Sequence, residues 1–198
     1  MYAYIQLITG MVISPRQTLE QAVEEKKLFA SLFIYVLSLI FALASEIMNS
    51  PGFVFLLFPL TAVFSLFLLL LSCGVSHLLA ELLGGQGKAA DLLLAFALCH
   101  VPLFFTAPLV LASSFDLAFL RLLVGAANFA FFIWYGYLAV QSLMIVEKLS
   151  LGKSLCILLL PLICLILFIV LLIALLLVGG TFLGLSTYLH SWIGELGL

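Results

Sequence analysis

His77 and Glu81 stand four residues apart in one long apolar run, so on a helix they share a face. An imidazole beside a carboxylate can hold or pass a proton, form an ion pair, or offer two ligands to a divalent ion. Two ligands from one helix fall short of a structural metal site, which takes four, and the pair reads first as an interfacial ion pair. His100 lies about nine residues into a later run, about 13 Å along a helix at 1.5 Å per residue. It is the deepest titratable group in the sequence, and an ionisable side chain within a span is a functional candidate by default. Pro102 follows it and removes a backbone donor, which frees carbonyls one turn back. His100 either donates to one of them or faces a polar space. Asn128 and Gln141, in the next run, are amides suited to hydrogen bonds between helices or to a ligand contact. His77, Glu81, His100, Asn128 and Gln141 are thus the candidate lining of a polar cavity.

Other chemistries fail on spacing. Gly84-Gly85-Gln86-Gly87-Lys88 suggests a phosphate loop, but Leu82 and Ala89 stand where that motif needs Gly and Ser or Thr. It reads instead as a helix C-cap and tight turn. No Ser-His-Asp set, HExxH or dinucleotide fingerprint is present, and no enzymatic activity is expected. Cys73, Cys99, Cys156 and Cys164 lie in apolar runs without metal spacing and read as small buried side chains. No cofactor or metal is expected. The net charge of −2 carries no basic stripe, which excludes nucleic acid as a partner.

The elements that must position these residues are set by composition. Hydrophobic residues make up 66% of the 198, charged ones 8%, and mean hydropathy is +1.41. That leaves too little polar surface to cover a water-soluble globule, so the expected solvent is a lipid bilayer. The runs are continuous rather than alternating, which favours helices over a barrel. The expected fold class is an all-α integral membrane protein, a bundle of five transmembrane helices with an N-terminal amphipathic interfacial helix. Residues 1–27 form a cytoplasmic segment. Within it Ser14 caps a helix over 15–27 with Pro15 at its first position and Gln17 completing a capping box, and Leu19, Ala22 and Val23 lie on the apolar face. Residues 28–178 hold the five spans, at about 28–48, 53–83, 91–112, 117–146 and 154–178 at about 20 or more residues each. Gly179-Gly180 breaks the last one, and residues 179–198 form a short interfacial tail on the outer side, rich in aromatic residues. No cleavable signal is expected, since the first positive charge is Arg16. Orientation follows from Lys and Arg. With the N-terminus cytoplasmic, Arg16, Lys26, Lys27, Lys88, Lys148 and Lys153 fall inside and Arg121 alone falls outside.

The order of several motifs resembles a known family. Ser14-Pro15-Arg16-Gln17-Thr18-Leu19 precedes the first span, Gly84-Gly85-Gln86-Gly87-Lys88 follows the second, and His100-Val101-Pro102 lies in the third. Ile133-Trp134 and then Leu149-Ser150-Leu151-Gly152-Lys153-Ser154 mark the fourth span and its loop. Together, over about residues 10–175, these resemble the Yip family (Ypt- or Rab-interacting protein family) in its short prokaryotic form. The resemblance implies five membrane helices, a cytosolic N-terminus, a C-terminus across the membrane and, for a prokaryotic form, the inner membrane. Eukaryotic members are tied to vesicle traffic and Rab-type GTPases through a longer N-terminal region with an Asp-Leu-Tyr-Gly-Pro motif. That motif is missing here, which puts GTPase binding in doubt. The function expected is that of a non-enzymatic multi-pass membrane protein acting through helix–helix contacts, as a homo-oligomer or with other membrane-protein subunits. The alternative is a small transporter or lipid-handling protein with a cytoplasm-facing polar cavity.

Overall fold

A backbone surrounded by apolar side chains must bond to itself, and a continuous apolar run does so as a helix. The structure is a computed structural model that describes residues 2–43, 51–113 and 118–195. The regular elements within them are helical: α1 (Tyr2–Ile13), α2 (Pro15–Glu24), α3 (Leu28–Ala42), α4 (Pro51–Leu82), α5 (Ala89–Leu98), a 3-10 turn (Val101–Phe105), α6 (Thr106–Ser113), α7 (Ala118–Val146) and α8 (Leu151–Glu195). The chain divides into two units, residues 1–157 and 158–198.

Among the described residues, four segments are long and apolar enough to cross a bilayer: Leu57–Leu82, Ala89–Leu109, Phe119–Val146 and Leu151–Leu175. α3 is a shorter apolar helix of 15 residues. The rest of the expected first span falls largely on residues 44–48, outside the described residues.

In the first unit α5 is the hub, packed on α2, α3, α4 and α7. Leu92 and every residue from Leu94 to Cys99 are buried, as suits a helix that is apolar all round. The surrounding helices each offer it one narrow stripe at helical spacing: Ser31, Ile34, Tyr35 and Ser38 on α3; Leu69, Cys73, Ser76 and Ala80 on α4; Leu138, Ser142, Leu143 and Val146 on α7. Small residues in these seams let the backbones approach. The hydroxyls of Ser31, Ser38 and Ser142 bond to backbone carbonyls one turn back, as Ser142 Oγ does to Leu138 O (2.9 Å), and Cys99 Sγ lies 3.2 Å from Ser142 Oγ.

Several expectations need correction. Ser14 is the N-cap of α2, but its side chain makes no capping bond. Its N–H donates to Gly10 O (2.8 Å), so α1 runs almost directly into α2. α2 buries Thr18, Leu19 and Ala22 within the bundle, where it packs on α5 and α7, so protein covers the face expected to meet lipid. The third span is not one regular helix. α5 ends at Leu98, and the chain tightens into the 3-10 turn, with Leu103 N–H bonded to His100 O (2.9 Å). Pro102 forces this, since it has no N–H and disfavours α geometry in the residue before it. Of the cysteines, Cys73 and Cys99 are buried but Cys156 and Cys164 are exposed. An apolar residue in a span can face lipid as readily as protein.

The second unit, residues 158–198, continues α8 with Pro161 inside it. The backbone stays helical through Gly179-Gly180 to Glu195. Each Gly costs about 1 kcal/mol relative to Ala in a helix, too little to end one between strongly apolar runs whose backbone has no water to bond.

Candidate functional site

The last turn of α4 closes on Gly84, whose φ of +88° is the left-handed conformation that glycine takes without strain. Gly84 N–H donates to Glu81 O (3.0 Å) and Gly85 N–H to Ala80 O (2.7 Å), which is the double bond pattern of a Schellman cap. The cap turns residues 85–88 across the end of α7, where Gln86 N–H donates to Glu147 O (3.2 Å).

Glu147 is fully buried, and both of its carboxylate oxygens have partners. Gly87 N–H donates to Oε2 at 2.9 Å, and Oε1 lies 2.7 Å from His77 Nδ1. An ionised carboxylate only accepts, so Nδ1 is the donor. His77 Nε2 lies 3.4 Å from Glu81 Oε1, an ion pair when the ring carries its second proton. A Cβ on Gly85 would stand 2.7 Å from Glu147 Oε2, and one on Gly87 would stand 2.6 Å from Val146 O and 2.8 Å from Glu147 Oε2. The glycines let backbone approach the carboxylate closely. Lys153 then ties in the start of α8, its Nζ donating to Leu83 O (2.7 Å) at the C-terminal end of α4, where a cation suits the helix dipole.

Beside this cluster lies a cavity of about 630 Å³. Arg16, Glu20 and Glu24 line it from α2, Lys88 and Asp91 from the start of α5, and Gln141 and Lys148 from around the end of α7. Gln141 Oε1 is buried and accepts no hydrogen bond among the described residues. Lys148, just past the end of α7, has φ +55°, a conformation in which a side chain other than that of Gly is strained.

The five residues singled out in the sequence are distributed as follows. His77 and Glu81 join Glu147, and Gln141 lines the adjoining cavity. His100 lies deeper: Nδ1 is 3.0 Å from Phe96 O one turn back, a carbonyl that also accepts from Cys99 N–H (3.2 Å), and the ring is flanked edge-on by Tyr35 and Tyr135 at 4.7 and 5.1 Å. A carbonyl only accepts, so Nδ1 carries the proton. Tyr35 OH in turn bonds Ser65 Oγ (2.6 Å), linking α3 to α4. Asn128 is exposed on α7, with no hydrogen bond among the described residues. Sequence reasoning missed Glu147 and Lys153 as organising groups. The signal was there in Gly85-x-Gly87, a spacing that marks backbone with no room for a side chain.

A helical bundle whose long apolar helices are tied together at one basic end is a multi-pass membrane protein. The model of the Yip1 domain family matches residues 9–175, and the chain belongs to that family. No curated protein and no solved structure matches it. The matched region contains the Gly84–Lys88 loop, His100, Glu147 and every residue that lines the cavity.

Proposed function

We propose that this Yip1-domain protein is non-enzymatic and acts by association of its membrane helices, with a second copy of the chain as partner, through the α7 face that carries Gly125 and Asn128. The carrying observation is Asn128. It lies about 14 Å along α7 from Phe119 at 1.5 Å per residue, exposed, with no bonded partner among the described residues. An amide left without a partner in hydrocarbon is costly. It is also self-complementary, offering both a donor and an acceptor, so two copies related by a two-fold axis can satisfy each other. Gly125, Phe129 and Phe132 share its face at spacings of three and four and are also exposed. A small residue there allows close approach.

The topology proposed with this reading has five spans, a cytoplasmic N-terminus and an outer C-terminus. Arg16, Lys88 and Lys148 line one cavity, and Lys153 reaches Leu83 beside it, so these cations share one end. The positive-inside rule assigns that end to the cytoplasm. The transporter reading draws no support from His100, whose Nδ1 is taken up by Phe96 O and whose ring is flanked by two tyrosines.

The test is the oligomeric mass in mild detergent of the wild-type chain, Asn128→Leu and Gly125→Leu. A Cβ at Gly125 meets nothing within 4 Å, so leucine fits the monomer and its effect reports on association. The wild type is expected to be dimeric. Interhelical amide bonds contribute about 0.6–2 kcal/mol, so Asn128→Leu weakens association about 3- to 30-fold, with the thermal midpoint unchanged. A wild type that is monomeric throughout, or variants that dimerise as tightly as it does, rules the second copy out.

A further inference from the structure

We infer that the cavity at the basic end binds a zwitterionic phosphate ester of the ethanolamine type, its phosphate facing Lys88 and Lys148 and its ammonium facing Glu24, Asp91 and Gln141 Oε1. This goes beyond the association proposed above and does not rest on it, since Asn128 and Gly125 are not among the lining residues.

Place and size come first. The cavity is walled by the ends of helices that span, α4's following loop, the start of α5 and the end of α7, which is the depth of lipid headgroups. About 630 Å³ falls within the common range of small-molecule sites, about 300–1,000 Å³.

Charge comes next. The lining holds Arg16, Lys88 and Lys148 against Glu20, Glu24 and Asp91. Arg16 and Glu20 pair with each other at 3.1 Å. The other four make no ion pair among the described residues, two cations against two carboxylates. A purely anionic ligand would meet both carboxylates, and a purely cationic one both ammonium groups. A zwitterion answers all four.

Two independent observations narrow the chemistry. Gln141 Oε1 is a buried acceptor that lacks a donor, and buried polar atoms are ordinarily paired. Its missing partner must carry an N–H or O–H. A primary ammonium does and a quaternary one does not, which selects ethanolamine over choline. Lys148 holds φ +55° at the position after a helix where Gly is usual. Strain of this kind persists where a side chain is needed, and this one keeps an ammonium group at the cavity wall. α5 also starts at this wall, at Lys88, and the positive end of its dipole favours the phosphate.

The same headgroup could arrive on a membrane lipid or as free phosphoethanolamine, and the experiment separates the two. The purified full-length protein in mild detergent is given phosphatidylethanolamine, phosphatidylcholine or phosphatidylglycerol with identical acyl chains, and bound lipid is counted by native mass spectrometry. Phosphatidylethanolamine is expected to be retained at least fivefold more than either of the others. Gln141→Leu should abolish that preference, and Lys148→Gly, which removes a contact to the phosphate that all three lipids carry, should lower the retention of each at least threefold. Lys148→Gly should do so with an unchanged or raised thermal midpoint, because glycine relieves the positive φ; this keeps the result readable if Gln141→Leu folds poorly. Displacement by millimolar free phosphoethanolamine identifies the headgroup alone as sufficient. A retained preference without displacement identifies the lipid as the ligand. Equal retention of the three lipids without competition by phosphoethanolamine, a preference for either other lipid, displacement by inorganic phosphate alone, a preference that survives Gln141→Leu, or a retention untouched by Lys148→Gly overturns the proposal.

Discussion

Glu147 has no exposure to solvent, and its partners come from distant parts of the chain. Replacing it with alanine leaves the Gly87 N–H and the His77 ring nitrogen unpaired in a buried place. Breaking a buried pair from one side costs about 3–5 kcal/mol, so Glu147→Ala should fail to fold or show a much lower thermal midpoint in detergent. Glu147→Gln keeps the shape and one acceptor and should cost about 1–2 kcal/mol. If the two variants melt alike, the carboxylate does not organise this end. The neighbouring glycines separate two causes. At Gly84 a Cβ meets open space, and only the φ of +88° opposes a side chain; Gly84→Ala should cost about 1–2 kcal/mol. At Gly87 a Cβ meets a backbone carbonyl and the Glu147 carboxylate, so Gly87→Ala should cost more and should also disturb the pairing with His77. At this scale the sequence reveals what local spacing carries. His77 and Glu81 are four apart and legible, whereas Glu147 lies 70 residues from His77, and nothing in a single sequence joins them. His100 was legible as a histidine deep in an apolar run, and the carbonyl it binds, Phe96 O, lies one turn back on the same helix.

Helix ends tell a similar story among the elements. α2 closes as α4 does, with Lys26 N–H donating to Val23 O (3.2 Å) and Lys27 N–H to Ala22 O (3.1 Å), but its left-handed residue is Lys26, at φ +51°. The left-handed conformation costs a side-chain-bearing residue about 1–2 kcal/mol, and glycine returns roughly half of that through the unfolded chain's entropy. Lys26→Gly should therefore raise stability by about 0.5–1 kcal/mol, read as a higher thermal midpoint; a fall would mean that the Lys26 ammonium contributes more than its backbone strain costs. In the same corner, hydrogen bonds from Lys27 and Gln21 hold the Glu25 carboxyl below its ordinary value of 4.5. A lowered folded value means that this contribution is complete above the unfolded value and is lost as pH falls through the lower, folded one. The existence and type of the long helices were plain from continuous apolar runs. The break at His100–Phe105 was foreshadowed by Pro102 but not its 3-10 form. The seat of α2 was hidden, because an amphipathic face suits lipid and protein alike, and only the apolar faces of α5 and α7 decide between them.

For the whole molecule, composition settles the solvent and the placement of cations settles which ends belong together, while the number of crossings turns on α3. Its described 15 residues span about 22 Å at 1.5 Å per residue, short of a hydrocarbon core of about 30 Å. Five crossings require the helix to continue into residues 44–48, which lie outside the described residues. With five, Gln86 and Ser150 share the cytoplasmic side, and Ser50 and Ser114 lie opposite. Both pairs are sequence-adjacent to span ends, so each can carry a single cysteine once Cys73, Cys99, Cys156 and Cys164 have been replaced. A membrane-impermeant maleimide should label Gln86→Cys and Ser150→Cys in inverted vesicles only, and Ser50→Cys and Ser114→Cys in right-side-out vesicles only. Labelling of Ser50→Cys on the side of Gln86→Cys would mean that α4, which lies between them, enters and returns without crossing; since Arg16 and Lys88 share one end, α3 would not cross either, leaving three spans. Labelling of Gln86→Cys and Ser150→Cys from opposite sides would contradict the bond from Lys153 Nζ to Leu83 O (2.7 Å), and with it the single basic end on which the cavity and the orientation both depend.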